Sequence, residues 1–231
     1  MADKNDKANE QQAKVVQSHQ ALLRKFPDVP ELRLDSIDEL LVSTLMDALG
    51  KSFADCVDII RELRTRFIDW NELRVTRMAD LARKLDEYGP GDDLARRLRT
   101  VLGKLFDRVG RVSFYFLAEM KPMDARRALG EIDNVNRDAA GRILMLENPE
   151  ASFPFTDEAF EAAKKLKLID AGKTKQQLQK LLEDSLGRET AIECYYLLEA
   201  EAHGGPAVRK PKTTIDKKPS KRISVRRMAK D

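Results

Sequence analysis

Apolar residues recur along most of this chain at intervals of three and four, the spacing that lines them up on one face of an α-helix. The clearest case opens at Ser36, where Ser-Ile-Asp-Glu reads as a capping box closed by Glu39. Ile37, Leu40, Leu41, Thr44, Leu45, Ala48 and Leu49 then form one stripe, and Gly50 ends it. A second helix is predicted after Ser52, with Phe53, Val57, Ile60, Leu63 and Phe67 on one side. The next runs from about Met78 to Tyr88 and stops at Tyr-Gly-Pro-Gly, the strongest breaker in the body. Leu94, Leu98, Val101, Leu102, Leu105 and Val109 mark another. Pro122 suits the first turn of a short helix reaching about Leu129, and a helix from Arg137 to about Leu146 follows. Further helices are predicted at 157–168, 174–186 and 188–202.

Only Val-Ser-Phe-Tyr-Phe-Leu, residues 112–117, alternates enough to suggest a strand, and it also fits a buried helical turn. The pattern therefore predicts an all-α protein of about nine helices with no repeat of fixed period. It divides into a flexible N-terminal segment, 1–30, a folded body, 31–204, and a flexible tail, 205–231.

With 231 residues, 42% of them hydrophobic, the body can bury a core, which excludes a wholly disordered chain. Cys56 and Cys194 lack partner spacing, so neither a disulfide framework nor a four-cysteine metal site is expected; they read as buried thiols in a reducing compartment. The N-terminus has no apolar signal region and no run of about eighteen apolar residues occurs, so the expectation is a cytoplasmic protein without a membrane segment. Charge is uneven. After His203 the tail holds ten Lys or Arg against two Asp, or +8, whereas the residues before it hold 32 basic and 37 acidic side chains, or −5. Such a tail fits either a nucleic-acid arm or a solvated end.

The stretch Leu-Gly-Glu-Ile-Asp-Asn-Val-Asn-Arg-Asp, residues 129–138, outlines two helices joined by a tight turn, a helix-hairpin-helix spanning 122–146. Such a turn requires positive φ, which Gly adopts freely and Asn tolerates, so Asn134 and Asn136 read as imperfect glycines. The free N–H groups of the turn and of the next helix start would cradle a phosphate, with Arg137 adding positive charge and Asp133 and Asp138 opposing it. The candidate DNA-binding residues are Asn134, Val135, Asn136 and Arg137. The same residues also fit an ordinary helix connection with Asn as C-cap.

In this hairpin the chain resembles the endonuclease III branch of the helix-hairpin-helix DNA glycosylases, enzymes of base-excision repair. Their hairpin, Leu-Pro-Gly-Val-Gly-Arg-Lys-Thr-Ala, matches Ile-Asp-Asn-Val-Asn-Arg-Asp-Ala-Ala at 132–140. Residues 39–63 resemble the early helix pair of the family, 88–105 fall where its next helix should be, and 153–169 resemble its Phe-Pro-Val-Asp-Thr-His-Val-x-Arg segment, so that order and spacing agree over roughly 31–203. The resemblance implies a two-lobed all-α fold that binds DNA between its lobes and flips the damaged base out of the stack.

The residues that the family uses for chemistry are changed. Its Schiff-base lysine falls on Asp138, which cannot form that adduct, and its aspartate falls on Thr156, with Asp157 one position later and turned about 100° round the helix axis. Asp138 and Asp157 are thus the weak catalytic candidates, and Asp157 also reads as a first-turn residue behind a Thr156 cap. The family's inserted Gln falls on Leu49, its His and Arg on Glu158 and Glu161, and a single cysteine, Cys194, stands where an iron-sulfur cluster needs four. The basic run Arg96, Arg97, Arg99, Lys104, Arg108 and Arg111 is interleaved with Asp92, Asp93 and Asp107, as on a salt-laced solvent face. Three readings follow. The first is a catalytically degenerate, cofactor-free and metal-free protein that binds the phosphate backbone of DNA and is nucleoid-associated. The second is an active divergent glycosylase, and the third a protein-interaction scaffold.

Overall fold

In a computed structural model of the chain, which describes residues 2–30, 33–132 and 134–205, with side chains from residue 9, the regular elements are helical and the described residues hold no strand. The helices are α1 (Ala2–Lys25), α2 (Ser36–Leu49), α3 (Phe53–Arg66), α4 (Trp70–Val75), α5 (Met78–Leu85), α6 (Gly91–Val109), α7 (Pro122–Gly130), α8 (Arg137–Glu147), α9 (Asp157–Lys165), α10 (Lys175–Leu186) and α11 (Arg188–His203). The all-α architecture predicted from periodicity is the one found. The strand candidate at 112–117 instead ends in a short 3-10 turn, Tyr115–Leu117, because Phe114 and Leu117 both turn into the core.

Local chemistry sets the helix starts. Asp35, Ser52, Asp69, Asn136, Thr156 and Thr174 each precede a helix and accept a hydrogen bond from a backbone N–H in its first turn. The capping box of α2 lies one residue earlier than its sequence suggests: Asp35 is the cap and Asp38 its partner, so Glu39 is not part of it. Gly91 opens α6 at the Tyr-Gly-Pro-Gly break, where an added Cβ would collide with the carbonyl oxygen of Ala82 and the carboxylate of Asp86, so α5 and α6 fold back on each other only around a glycine.

The buried apolar residues form two clusters. The first is built from α2 to α8 and includes Leu40, Leu45, Ile60, Leu63, Leu98, Leu102, Phe114 and Ile143. The second joins α9, α10 and α11 to the N-terminal segment through Val15, Leu22, Phe26 and Val29. This corrects the expectation that 1–30 is flexible: residues 2–25 are helical, and from Val15 on the segment fills the second core with a stripe spaced by helical turns. Polar ties hold it there. Gln11 donates to the Leu168 carbonyl at 2.5 Å, His19 pairs with Glu193 at 2.7 Å, and Lys25 pairs with Glu201. The basic tail expected at 205–231 lies, from 206 on, outside the described residues.

Helix α8 serves both cores, giving Ile143 and Leu144 to the first and Met145 to the second. The chain leaving it is pinned by Asn148, whose amide donates to the carbonyls of Leu117 at 2.6 Å and Met120 at 2.8 Å, and by Arg188, which donates to the Met145 and Asn148 carbonyls at 3.1 and 2.8 Å. Pro154 then passes so close to α8 that a Cβ on Gly141 would lie 2.9 Å from its ring. These contacts fix the hairpin's second helix against the segment that carries Thr156.

Candidate functional site

The turn between α7 and α8 takes its shape from the two asparagines, which have different tasks. Asn134 sits at φ 63°, the left-handed conformation foreseen for it. Asn136 does not: at φ −72° it is extended backbone and caps α8, its side chain accepting from the Ala139 N–H at 2.8 Å. Its reading as a substitute glycine is therefore corrected to that of an N-cap, because the left-handed bend is completed two residues earlier. Ser43 of α2 ties the turn to the first core. Its hydroxyl donates to the Asn134 carbonyl at 2.5 Å and accepts from the Asn136 N–H at 3.4 Å. Val135 is half-buried against that core, while Asn136, Arg137 and Asp138 are exposed. Asp133 lies outside the described residues. A bend, a helix N-terminus and an exposed guanidinium thus coincide, with the Asp138 carboxylate beside them.

Next to this turn a cavity of about 260 Å³ opens where the two cores meet. Leu34, Glu39 and Phe53 line it from the first side and Val29, Tyr195 and Tyr196 from the second, with Pro154 and Thr156 from the segment between. Asp138 also lines it. Asp157 does not: its side chain is 90% exposed and is paired with Lys175 at 2.8 Å, which holds its carboxyl below the ordinary range. The two weak catalytic candidates are thereby separated by geometry, one at the cavity and one on open surface.

Two further carboxylates reach the cavity. Glu39, fully buried, accepts from Arg142 Nε at 2.7 Å; burial pushes its pKa up, and Arg142 opposes that rise. Burial disfavours the Arg142 cation as well, but Glu39 overrides it and the guanidinium stays charged. Glu199 of α11 accepts from Thr156 twice, from the N–H at 3.1 Å and from the hydroxyl at 2.9 Å, and has His203 at 3.6 Å. A carboxylate therefore does stand beside Thr156, supplied by α11. The phenols of Tyr195 and Tyr196 are kept in their neutral form by burial.

Comparison with models of known protein families finds none that matches the chain, and comparison with curated proteins likewise finds no match.

The other residues singled out in the sequence have structural partners. Leu49 packs half-buried on the first core and is no free wedge. Glu158 and Glu161 are exposed, the latter paired with Lys164 at 2.7 Å. In the basic run Arg96 and Arg97 pair with Asp93, Arg97 also with Asp47, and Arg108 with Glu131, while Arg99 donates to the Arg74 carbonyl, the salt-laced face that was expected. Burial raises the thiols of Cys56 and Cys194, to about 11 and about 12, which leaves them unreactive. Among the described residues no group of three or more His, Cys, Asp or Glu could hold a metal ion, and no helix is long and apolar enough to cross a membrane.

Sequence reasoning missed Glu39, Arg142, Tyr195, Tyr196 and Glu199. A signal existed: Arg142 interrupts an otherwise apolar run in α8 and Glu39 heads the buried stripe of α2, and charged residues in such places are buried only when paired.

Proposed function

We propose that this protein binds duplex DNA through the turn at 134–137 in the manner of the helix-hairpin-helix glycosylases and receives an everted base in the adjoining cavity. The observation that carries the reading is the juxtaposition of an exposed helix start with a partly open space beside it whose surface is mostly apolar. The first N–H groups of a helix lack intrahelical partners, and in α8 the cap takes that of Ala139. Arg137 is exposed there to meet a phosphate. The cavity suits a planar heterocycle: Phe53, Pro154 and Tyr195 supply apolar surface, and polar side chains including Glu39, Thr156 and Glu199 stand round it.

Under this reading the protein recognises DNA without the family's lysine chemistry, since Asp138 replaces the nucleophile. One observation favours a second reading, an active and divergent glycosylase: Asp138 is exposed and lines the cavity, where a carboxylate could stabilise charge developing on the sugar. Electrophoretic or anisotropy titration of a duplex tests the first reading. Binding should weaken steeply with salt, and Arg137→Glu should weaken it further. Absence of binding at low salt refutes it. Incubation with duplexes carrying oxidised bases, uracil or mismatches tests the second, which requires base release that is lost in Asp138→Asn.

A further inference from the structure

Two polar atoms at the cavity are buried without a hydrogen-bond partner among the described residues: Glu39 Oε1 and the hydroxyl of Tyr196. Both residues line the same space. Leaving a buried polar group unsatisfied costs about 1–3 kcal/mol, and such groups persist where a ligand completes them. The second oxygen of Glu39 is already engaged by Arg142, which fixes the carboxylate and leaves Oε1 as a directed acceptor. Tyr196, a neutral phenol in this setting, supplies a donor. The two residues are near enough for the Glu39 charge to act on the Tyr196 hydroxyl.

What fits must therefore offer Glu39 an N–H and Tyr196 an acceptor, between apolar walls. The lining favours a neutral occupant over a phosphate: three carboxylates, Glu39, Asp138 and Glu199, stand round the cavity, Arg142 is neutralised by Glu39, His203 lies beside Glu199, and the remaining guanidinium, Arg33, is exposed. We propose that Glu39 and Tyr196 read the hydrogen-bonding edge of a nucleobase, Glu39 accepting from a ring or exocyclic N–H and Tyr196 donating to the neighbouring carbonyl or ring nitrogen. The identification of the ligand as a base rests on the DNA-binding reading above; the donor–acceptor demand rests on the two unpartnered atoms alone.

The test uses the full chain and free bases. Uracil and 9-methyladenine are titrated by ligand-observed NMR beside 1,3-dimethyluracil and N6,N6,9-trimethyladenine, which lack N–H donors. At least one parent base should bind about tenfold more tightly than its methylated form, the worth of one good hydrogen bond to a charged group. Tyr196→Phe should lose about tenfold in affinity for that base without lowering Tm, since the deleted hydroxyl has no partner to forfeit. Glu39→Gln should weaken the same base, and Arg137→Glu should leave free-base binding intact while weakening duplex. No binding of either parent base, equal binding of the methylated forms, or full affinity in Tyr196→Phe overturns the inference. Duplex binding without free-base binding overturns it and leaves the DNA reading standing. Free-base binding without duplex binding supports the pocket's chemistry and removes the DNA reading.

Discussion

A fully buried carboxylate facing a largely buried guanidinium, as Glu39 faces Arg142, gains less from its attraction than the pair loses in hydration, unless the geometry satisfies every polar atom. Here one oxygen is left over, so the pair is retained at a cost that packing must offset. Because burial raises the Glu39 pKa above its ordinary value of 4.5, the native state holds this proton more tightly than the unfolded chain does. The group's contribution to stability is thus fully present below 4.5 and is lost as pH rises through the native pKa. Wild type should lose stability relative to Glu39→Gln on going upward through that window, and urea titrations of both proteins at stepped pH measure the difference. A difference that stays flat with pH would mean Glu39 ionises in the fold as it does in water. Replacing Arg142 alone by Leu should cost about 3–5 kcal/mol at neutral pH, since it strands a buried charge, and the double change to Leu at both sites should recover much of it.

Among the elements, the hairpin distributes its backbone demands unequally over two residues of one type. Asn134, at φ 63°, holds a conformation that costs an ordinary L-residue about 1–2 kcal/mol and glycine nothing, so Asn134→Ala should destabilise by about 1 kcal/mol and Asn134→Gly should be neutral or stabilising. Asn136 has no such requirement and works through its side chain: Asn136→Ala should cost about 1 kcal/mol and Asn136→Gly a few tenths, with no gain. Chemical denaturation of the four variants separates the roles, and equal gains from both glycines would contradict them. Periodicity made the hairpin and its neighbours legible because α2, α3 and α5 to α11 each bury a regular apolar stripe. It concealed α1, whose stripe of Val15, Leu22 and Phe26 is thin and sits in a polar, charge-rich segment that a tail also resembles. The α2 cap was displaced by one residue because Asp35 and Ser36 are both good caps, and that single step returned Glu39 from the helix end to the cavity. The cavity itself was not legible, since its walls come from segments more than a hundred residues apart and periodicity says nothing of which faces meet.

For the molecule as a whole, the proposed binding of DNA would divide between charge and shape. The residues up to His203 carry −5 and those after it +8, so under the proposed DNA-binding function long-range attraction would come mostly from the tail and short-range fit from the hairpin. On the body, the arginines of α6 are largely spent on Asp93, Asp47 and Glu131 and add little free charge. Counterion release makes this division measurable, because each phosphate that a protein no longer neutralises lowers the slope of log affinity against log salt by about 0.9 on duplex DNA. Deleting residues 206–231 should therefore flatten that slope by several such steps, whereas Arg137→Glu in the full chain should flatten it by about one or two. Preference for a duplex with an unpaired or mismatched base over a paired one should survive the deletion, since it depends on the cavity and not on the tail. If the deletion instead removes that preference and leaves the slope unchanged, the tail and not the cavity selects the site, and the division of labour between them is reversed.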